Sequence, residues 1–273
     1  MFEYFDIHSH LYFPDFDHDR EAEIKKIKHA KIGTITIGTS FDTSKIAVEM
    51  AGKHDNLFAC IGQHPSDLDE SSVFDERLTD LADDKKVVAI GECGLDYFRL
   101  PLEGEVSGDN FILKTIQKTI FEYHIDLALS KDLPLMLHIR SSKGTQDAYR
   151  DALDILEHHF KLSGGRLRGN AHFFAGDIDT LKRFLSIGFT VSFTGVITFT
   201  PDYDELVKAT PLSMILSETD APFVAPVPHR GKRNSPLYVE EVVKRIAEIK
   251  GEDLEVVRVA ILANVMRVFL SAH

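Results

Sequence analysis

The stretch "YFDIHSH", residues 4–10, begins as an apolar run and ends on two histidines separated by one serine. Side chains alternate faces along a β-strand, so His8 and His10 share one face and Ile7 and Ser9 the other. Two imidazoles on one side of a rigid strand can hold a cation with little ordering to be done. They can equally be a hydrogen-bonded pair near a strand end. The segment after the strand narrows the fold. A doubly wound dinucleotide-binding sheet would place a glycine-rich turn there, and the chain contains neither GxGxxG nor a P-loop.

Working outward, the same beat of strand and helix repeats. Strand patterns fall at 4–10, 34–40, 57–64, 86–93, 133–140, 168–174, 189–195 and 213–219, each short, apolar and rich in β-branched or aromatic residues. Helical spacing of apolar positions fills 19–31, 44–54, 73–84, 111–131, 146–161, 177–187 and 203–209, with two more helices at 236–250 and 253–271. Eight strands alternating with helices in 273 residues predict a parallel sheet closed into a TIM (β/α)8 barrel, with an open doubly wound sheet as the alternative. We expect a single domain over 1–273, with 98–110 a surface insertion rich in Pro and Gly.

Bulk properties exclude several classes. No apolar run approaches the 18 residues a membrane helix needs, and the N-terminus lacks a basic region and a cleavage site, so neither a membrane span nor a signal peptide is expected. Cys60 and Cys93 both lie in apolar runs and make no disulfide framework, which points to a reducing, cytoplasmic setting. A net charge of −12 argues against a protein that coats nucleic acid along its length. It leaves room for local contacts to one or two phosphates. No obligate protein partner is implied, and no exposed apolar stripe argues against a monomer.

The strand ends carry an unusual polar load. His8 and His10 end the first strand, His64 the third, Glu92 the fourth, His138 the fifth, His172 the sixth, and Glu218 and Asp220 the eighth. Active sites of such barrels sit at the C-terminal ends of the strands. A lone histidine there is more often a satisfied core residue; five of thirteen histidines converging with three carboxylates are not explained that way. The other histidines, including His124, read as surface or capping residues, except His229, which lies in the loop after the last strand. Imidazole with carboxylate suits Zn, Mn, Fe or Ni, and Mg with more carboxylate and water. The ligands exceed one tetrahedral shell, and a bridging Glu92 would let them serve two ions about 3.5–4 Å apart.

These residues carry a resemblance. The segments "DIHSH" (6–10), "GQHP" (62–65), "AIGECGLDY" (89–97), "LPLMLHIR" (133–140), "AHFFAG" (171–176) and "SETDAPFVAPVPHRGKRNSP" (217–236) resemble the TatD-family metal-dependent hydrolases, in that family's order. The resemblance implies two divalent ions, Mg, Mn or Zn. One would be held by His8, His10, Glu92 and Asp220, and the other by Glu92, His138 and His172. It implies that His64 and Arg140 face the substrate, and that the activity is DNA or RNA hydrolysis, often exonucleolytic from the 3′ end. The chain departs from the pattern at Ser66, where many members have a second histidine, at Phe173 and Ala175, and in the loop after "GLDY".

On this reading Asp220 and Glu92 are the catalytic carboxylates, with Asp220 accepting the proton of the attacking water and returning it to the leaving oxygen. Glu218 shares a strand face with Asp220 and is expected to bond a ligand, a water or the substrate rather than a metal. Arg230, Lys232 and Arg233 follow the last strand as a small basic cluster over the mouth, suited to a phosphodiester backbone, or else as a solvated loop. The expected partner is a nucleic acid 3′ end. The alternative is a two-metal hydrolase of a small-molecule ester, amide or lactone, because the ligands alone do not separate attack at phosphorus from attack at a carbonyl.

Overall fold

Each apolar run with the strand pattern forms a strand, and each strand lies beside the next. The computed structural model of the chain describes residues 2–100 and 109–270. Its strands are β1 (Tyr4–Ser9), β2 (Ile32–Ile37), β3 (Leu57–Ile61), β4 (Val87–Asp96), β5 (Leu135–Arg140), β6 (Gly169–Ala171), β7 (Thr190–Phe193) and β8 (Ile215–Ser217). They run parallel in the order β1 to β8. Beyond the strand ends the first and last segments meet: the Asp220 amide donates to the His8 carbonyl at 2.9 Å and the His10 amide to the Ala221 carbonyl at 2.7 Å. The result is a nearly closed (β/α)8 barrel.

The helices are α1 (Arg20–His29), α2 (Phe41–Lys53), α3 (Arg77–Leu81), α4 (Asp109–Lys131), α5 (Asp147–Leu162), α6 (Ile178–Ser186), α7 (Asp204–Ala209), α8 (Val239–Lys250) and α9 (Leu254–Val268). Ser40 with Thr43, and Asp177 with Thr180, form capping boxes that start α2 and α6. The helix expected over 73–84 shortens to α3 because Gln63 captures the preceding segment: its side chain donates to the Val73 carbonyl and accepts from the Asp75 amide. Of the expected insertion at 98–110, residues 101–108 lie outside the described residues.

Every position of β2 and β4 is buried, as a parallel sheet covered on both faces requires. Phe5, Phe174, Phe184, Phe189 and Phe193 are among the largest fully buried side chains, each contributing roughly 1.5–3 kcal/mol of burial. Two differences from the sequence expectation appear on the helices. His124 is a core residue, not a surface one: its Nδ1–H donates to the Ile120 carbonyl at 2.7 Å and its Nε2 accepts the Gln63 amide at 3.0 Å. α9 exposes Val256, Val259 and Met266, an apolar face that the helical pattern alone did not reveal.

The barrel is stitched shut by a buried carboxylate. Asp6 accepts the Thr219 amide at 2.8 Å and the Thr219 hydroxyl at 2.7 Å, and so ties β1 to the segment after β8. Burial pushes its carboxyl up to about 8, against the lowering effect of these hydrogen bonds. Register irregularities break the β1–β2 ladder between Asp6 and Ser9 and the β4–β5 ladder between Ile90 and Cys93. Such breaks re-aim side chains, and these two bracket His8 and Glu92. Around Glu92 the backbone also passes close to β5. A Cβ on Gly91 would run into the Met136 carbonyl oxygen and one on Gly94 into that of His138, and both glycines have positive φ.

Candidate metal centre

Glu92 lies at the centre of the mouth, with a different set of imidazoles on each of its oxygens. Oε2 faces His8 Nε2 at 3.3 Å and His10 Nε2 at 3.9 Å. Oε1 faces His138 Nδ1 at 2.9 Å, His172 Nε2 at 2.9 Å and His64 Nε2 at 3.3 Å. Asp220 Oδ1 joins the first set, 3.5 Å from His10 Nε2 and 3.8 Å from His8 Nε2. One carboxylate therefore divides two lobes: His8, His10 and Asp220 on one side, His138, His172 and His64 on the other.

The far nitrogen of each imidazole shows what the near one can do. A carbonyl or carboxylate oxygen only accepts, so a ring nitrogen facing it carries the proton and leaves the lone pair on the other nitrogen. His10 Nδ1 faces the Ile37 carbonyl at 3.0 Å, and His138 Nε2 faces Asp96 Oδ2 at 3.0 Å. His172 Nδ1 and His8 Nδ1 face Glu218 Oε2 at 3.4 and 3.8 Å. All four rings thus have an oxygen behind them: His10 is hydrogen-bonded to it, His138 is hydrogen-bonded to a carboxylate on both sides, and Glu218 Oε2 lies behind His8 and His172 without a hydrogen bond. His64 is the exception. Its Nδ1 accepts the Ser66 amide at 3.1 Å and lies 2.8 Å from the Ser66 hydroxyl, so its Nε2 carries the hydrogen and donates into the site.

Electrostatics fit a site built for cations. Burial raises Glu92, yet His172, His64 and His8 more than offset it, and the carboxyl lies well below the usual range. Asp220 behaves likewise: burial raises it, and the His10 hydrogen bond and the charges of His8 and His10 bring it below. His8 and His172 stack at 3.9 Å between ring centroids. Burial lowers His8, and His172 lowers it further. His172 is pushed down by burial but drawn well up by Glu92 and Glu218. The buried atoms His8 Nδ1, His8 Nε2, His172 Nδ1 and Glu218 Oε2 have no hydrogen-bond partner among the described residues. Buried polar atoms left that way are costly unless something else completes them, and imidazole with carboxylate is the donor set of Zn, Mn or Fe.

Above the cluster opens a cavity of about 590 Å³. His10, His64, Glu92, His138, His172 and Asp220 form its floor, Ser66, Arg99 and Arg140 one rim, and Phe13, Phe173, Tyr203 and Phe223 the other walls. Arg140 stacks on Phe98, its guanidinium carbon 3.9 Å from the ring centroid. Three expected substrate contacts are placed elsewhere. Glu218 is fully buried beneath the imidazoles, accepting the Phe173 amide at 2.5 Å and the Ser192 hydroxyl at 3.1 Å. Arg233 is pinned to Asp19 by two hydrogen bonds of 2.6 and 2.8 Å and stacks on Phe16, which staples its loop to α1. Arg230 lies over Phe199, outside the cavity wall.

Sequence reasoning missed Asp96, Ser66 and Arg99. Asp96 was within reach of it, because residues 92, 94 and 96 share a strand face. The partner of a turn hydroxyl such as Ser66 carries no such periodic signal.

Comparison with known proteins agrees with this geometry. The sequence pattern of the family described as "TatD related DNase" matches residues 5–270. The chain belongs to the TatD family. Among its relatives, the uncharacterized metal-dependent hydrolase YabD of Bacillus subtilis is 35% identical over 272 residues, covering 97% of this chain and 98% of that one. The 3′-5′ ssDNA/RNA exonuclease TatD of Cronobacter sakazakii is 31% identical over 280 residues, covering 97% of each. The crystal structure of YJJV, a TatD homolog from Escherichia coli K12, superposes with a TM-score of 0.82 at 26% identity, covering 98% of each chain. TatD membership makes this chain a metal-dependent hydrolase, and among the described residues no helix is long and apolar enough to cross a membrane.

Proposed function

We propose that this TatD-family hydrolase is a phosphodiesterase that shortens single-stranded DNA or RNA from the 3′ end, using two divalent ions (Mg, Mn or Zn) for which Glu92 would be a shared ligand. The observation that carries this reading is the division of the imidazoles about one carboxylate, with His8, His10 and Asp220 at Oε2 and His138 and His172 at Oε1. His8, His10, Glu92 and Asp220 would hold one ion, and Glu92, His138 and His172 the other. When bound, such ions supply Lewis acidity at phosphorus and make water nucleophilic near neutral pH.

The chain's own groups do the rest. Asp220, at the open edge of the cluster, takes a proton from the attacking water as the new P–O bond forms. It returns that proton to the oxygen released when the scissile P–O bond breaks. His64 Nε2–H is aimed at the same space and can donate to a phosphoryl oxygen. Phe13, Phe173, Tyr203 and Phe223 offer flat surfaces on which unpaired bases stack without regard to sequence. The name of the Cronobacter relative supports the same substrate class.

The second reading, hydrolysis of a small ester, amide or lactone, is favoured by the net charge of −12, which leaves no broad basic track. A 5′-labelled single-stranded oligonucleotide separates the two. A ladder shortening from the 3′ end with Mg, Mn or Zn, absent with chelator and in Asp220→Asn, supports the nuclease. An intact oligonucleotide under every metal, with metal still bound, overturns it in favour of the small substrate.

A further inference from the structure

We propose that Arg99, aimed by Ser66, forms a second phosphate subsite on the cavity rim, which takes the phosphodiester next to the one being cleaved. This rests on the nuclease reading. Arg99 follows β4 directly, and its turn is fixed by Asp96, whose Oδ1 accepts the amides of Phe98 at 3.1 Å and Arg99 at 3.2 Å. The other oxygen of Asp96 orients His138, so the arginine is in register with the metal centre. At its far end Arg99 Nη1 donates to Ser66 Oγ at 3.1 Å, and Ser66 in turn lies 2.8 Å from His64 Nδ1. The guanidinium is thereby held on the rim by a hydroxyl that also donates to Asp67 Oδ1 at 3.2 Å, and its remaining N–H groups have no partner among the described residues.

The charge pattern of the molecule sets this arginine apart. Arg20, Arg77, Arg168, Arg183, Arg233, Arg245 and Arg258 all pair with carboxylates. Among the described residues Arg99 and Arg140 have none within ion-pair distance, and both line the cavity. Arg150, Arg166, Arg230 and Arg267 share the lack, but none of them lines it. Phe98, next to Arg99 in the chain, carries the Arg140 guanidinium on its ring. Planar N–H forks on a water-accessible rim match phosphate oxygens in a way a lysine does not. The metal cluster accounts for one phosphate; these two arginines mark where the neighbouring backbone lies.

The test compares two substrates on the metal-loaded protein: a single-stranded DNA oligonucleotide, and bis(p-nitrophenyl) phosphate, which has a phosphodiester but no neighbour to it. In Arg99→Ala the ratio of kcat/KM for oligonucleotide over the small diester falls about tenfold, the size expected for one charged hydrogen bond. The fall lies in the KM for oligonucleotide, and the salt slope of oligonucleotide binding drops by roughly 0.7. Arg99→Lys recovers part of the loss, and Ser66→Ala, which frees the guanidinium without removing it, lowers the ratio by about threefold. An unchanged ratio in Arg99→Ala, or equal losses on both substrates, overturns the subsite while leaving the nuclease reading standing. An oligonucleotide that the wild-type protein neither binds nor cleaves overturns both.

Discussion

The barrel has a cavity at each end, and the two differ in every respect except size. The one at the N-terminal ends of the strands encloses about 600 Å³ among Glu3, Tyr4, Glu240, Asp253 and Arg258, and the one at the C-terminal ends about 590 Å³. At the lower end the charges answer one another. The partly buried Arg258 pairs with the exposed Glu255 and Glu3, and Lys244 with Glu240. At the upper end five imidazoles and three carboxylates converge with too few protons and donors to satisfy them, and buried nitrogens and oxygens are left over. Volume does not mark a site. A donor set that its own neighbours leave incomplete does.

The sharpest way to break that contrast is to remove a charge from each end. Asp220→Asn, which keeps a side chain tolerant of the positive φ at this position, should lower kcat at least 10³-fold in a steady-state hydrolysis assay. Arg258→Ala, at the other end, should leave kcat within about twofold and cost about 1 kcal/mol or less of stability by urea unfolding. Comparable losses at the two ends would end the comparison.

The wall between the ends tests whether satisfied and unsatisfied buried histidines really differ. His124 has both ring nitrogens bonded, and burial lowers it to about 4. A folded pKa below the unfolded value of about 6.5 means that the unfolded chain binds the proton first as pH falls. His124 therefore withdraws stability as pH drops from about 6.5 toward 4, by roughly 2–3 kcal/mol in that window. Urea titrations at pH 7 and pH 4.5 should show that much less pH dependence in His124→Gln than in the wild type.

The comparison is sharpened next by the carboxylates behind the imidazoles. Glu218→Gln and Asp96→Asn remove the negative charge behind His8, His172 and His138 without touching a proposed ligand atom. Each should weaken metal binding about 10–100-fold in a chelator competition titration. Metal binding unchanged from the wild type in Glu218→Gln would show that this carboxylate plays no part in tuning the rings above it. The smallest effect belongs to the lower end again: Glu240→Ala should cost no more than the ~0.5 kcal/mol typical of an exposed helix pair, read from the midpoint of thermal unfolding.

Much of the upper end was legible because strands write their faces into the sequence with a period of two. The eight strands, the alternation with helices and the convergence of His8, His10, His64, Glu92, His138, His172 and Asp220 on one mouth all follow from that period and the strand ends. What escaped the sequence were partners set by turns and by depth. Arg233 sits among basic neighbours in "HRGKR", and nothing local reveals that Asp19, more than 200 residues away, claims it. Glu218 has the parity of a mouth residue, but β8 ends at Ser217, and the chain tucks the next side chain beneath the rings instead of above them. His124 lies on a helix whose apolar pattern runs nearly all round, so its depth in the core was hidden.

The central claim is that Glu92 joins two cation sites of complementary ligand sets. Metal content by plasma mass spectrometry, with isothermal titration of the metal-depleted protein, tests it in one series. The account predicts two equivalents of divalent metal for the wild type, one for His10→Ala and for His138→Ala, and less than one tightly held in Glu92→Gln. A single equivalent in the wild type, or two retained in Glu92→Gln, would contradict it.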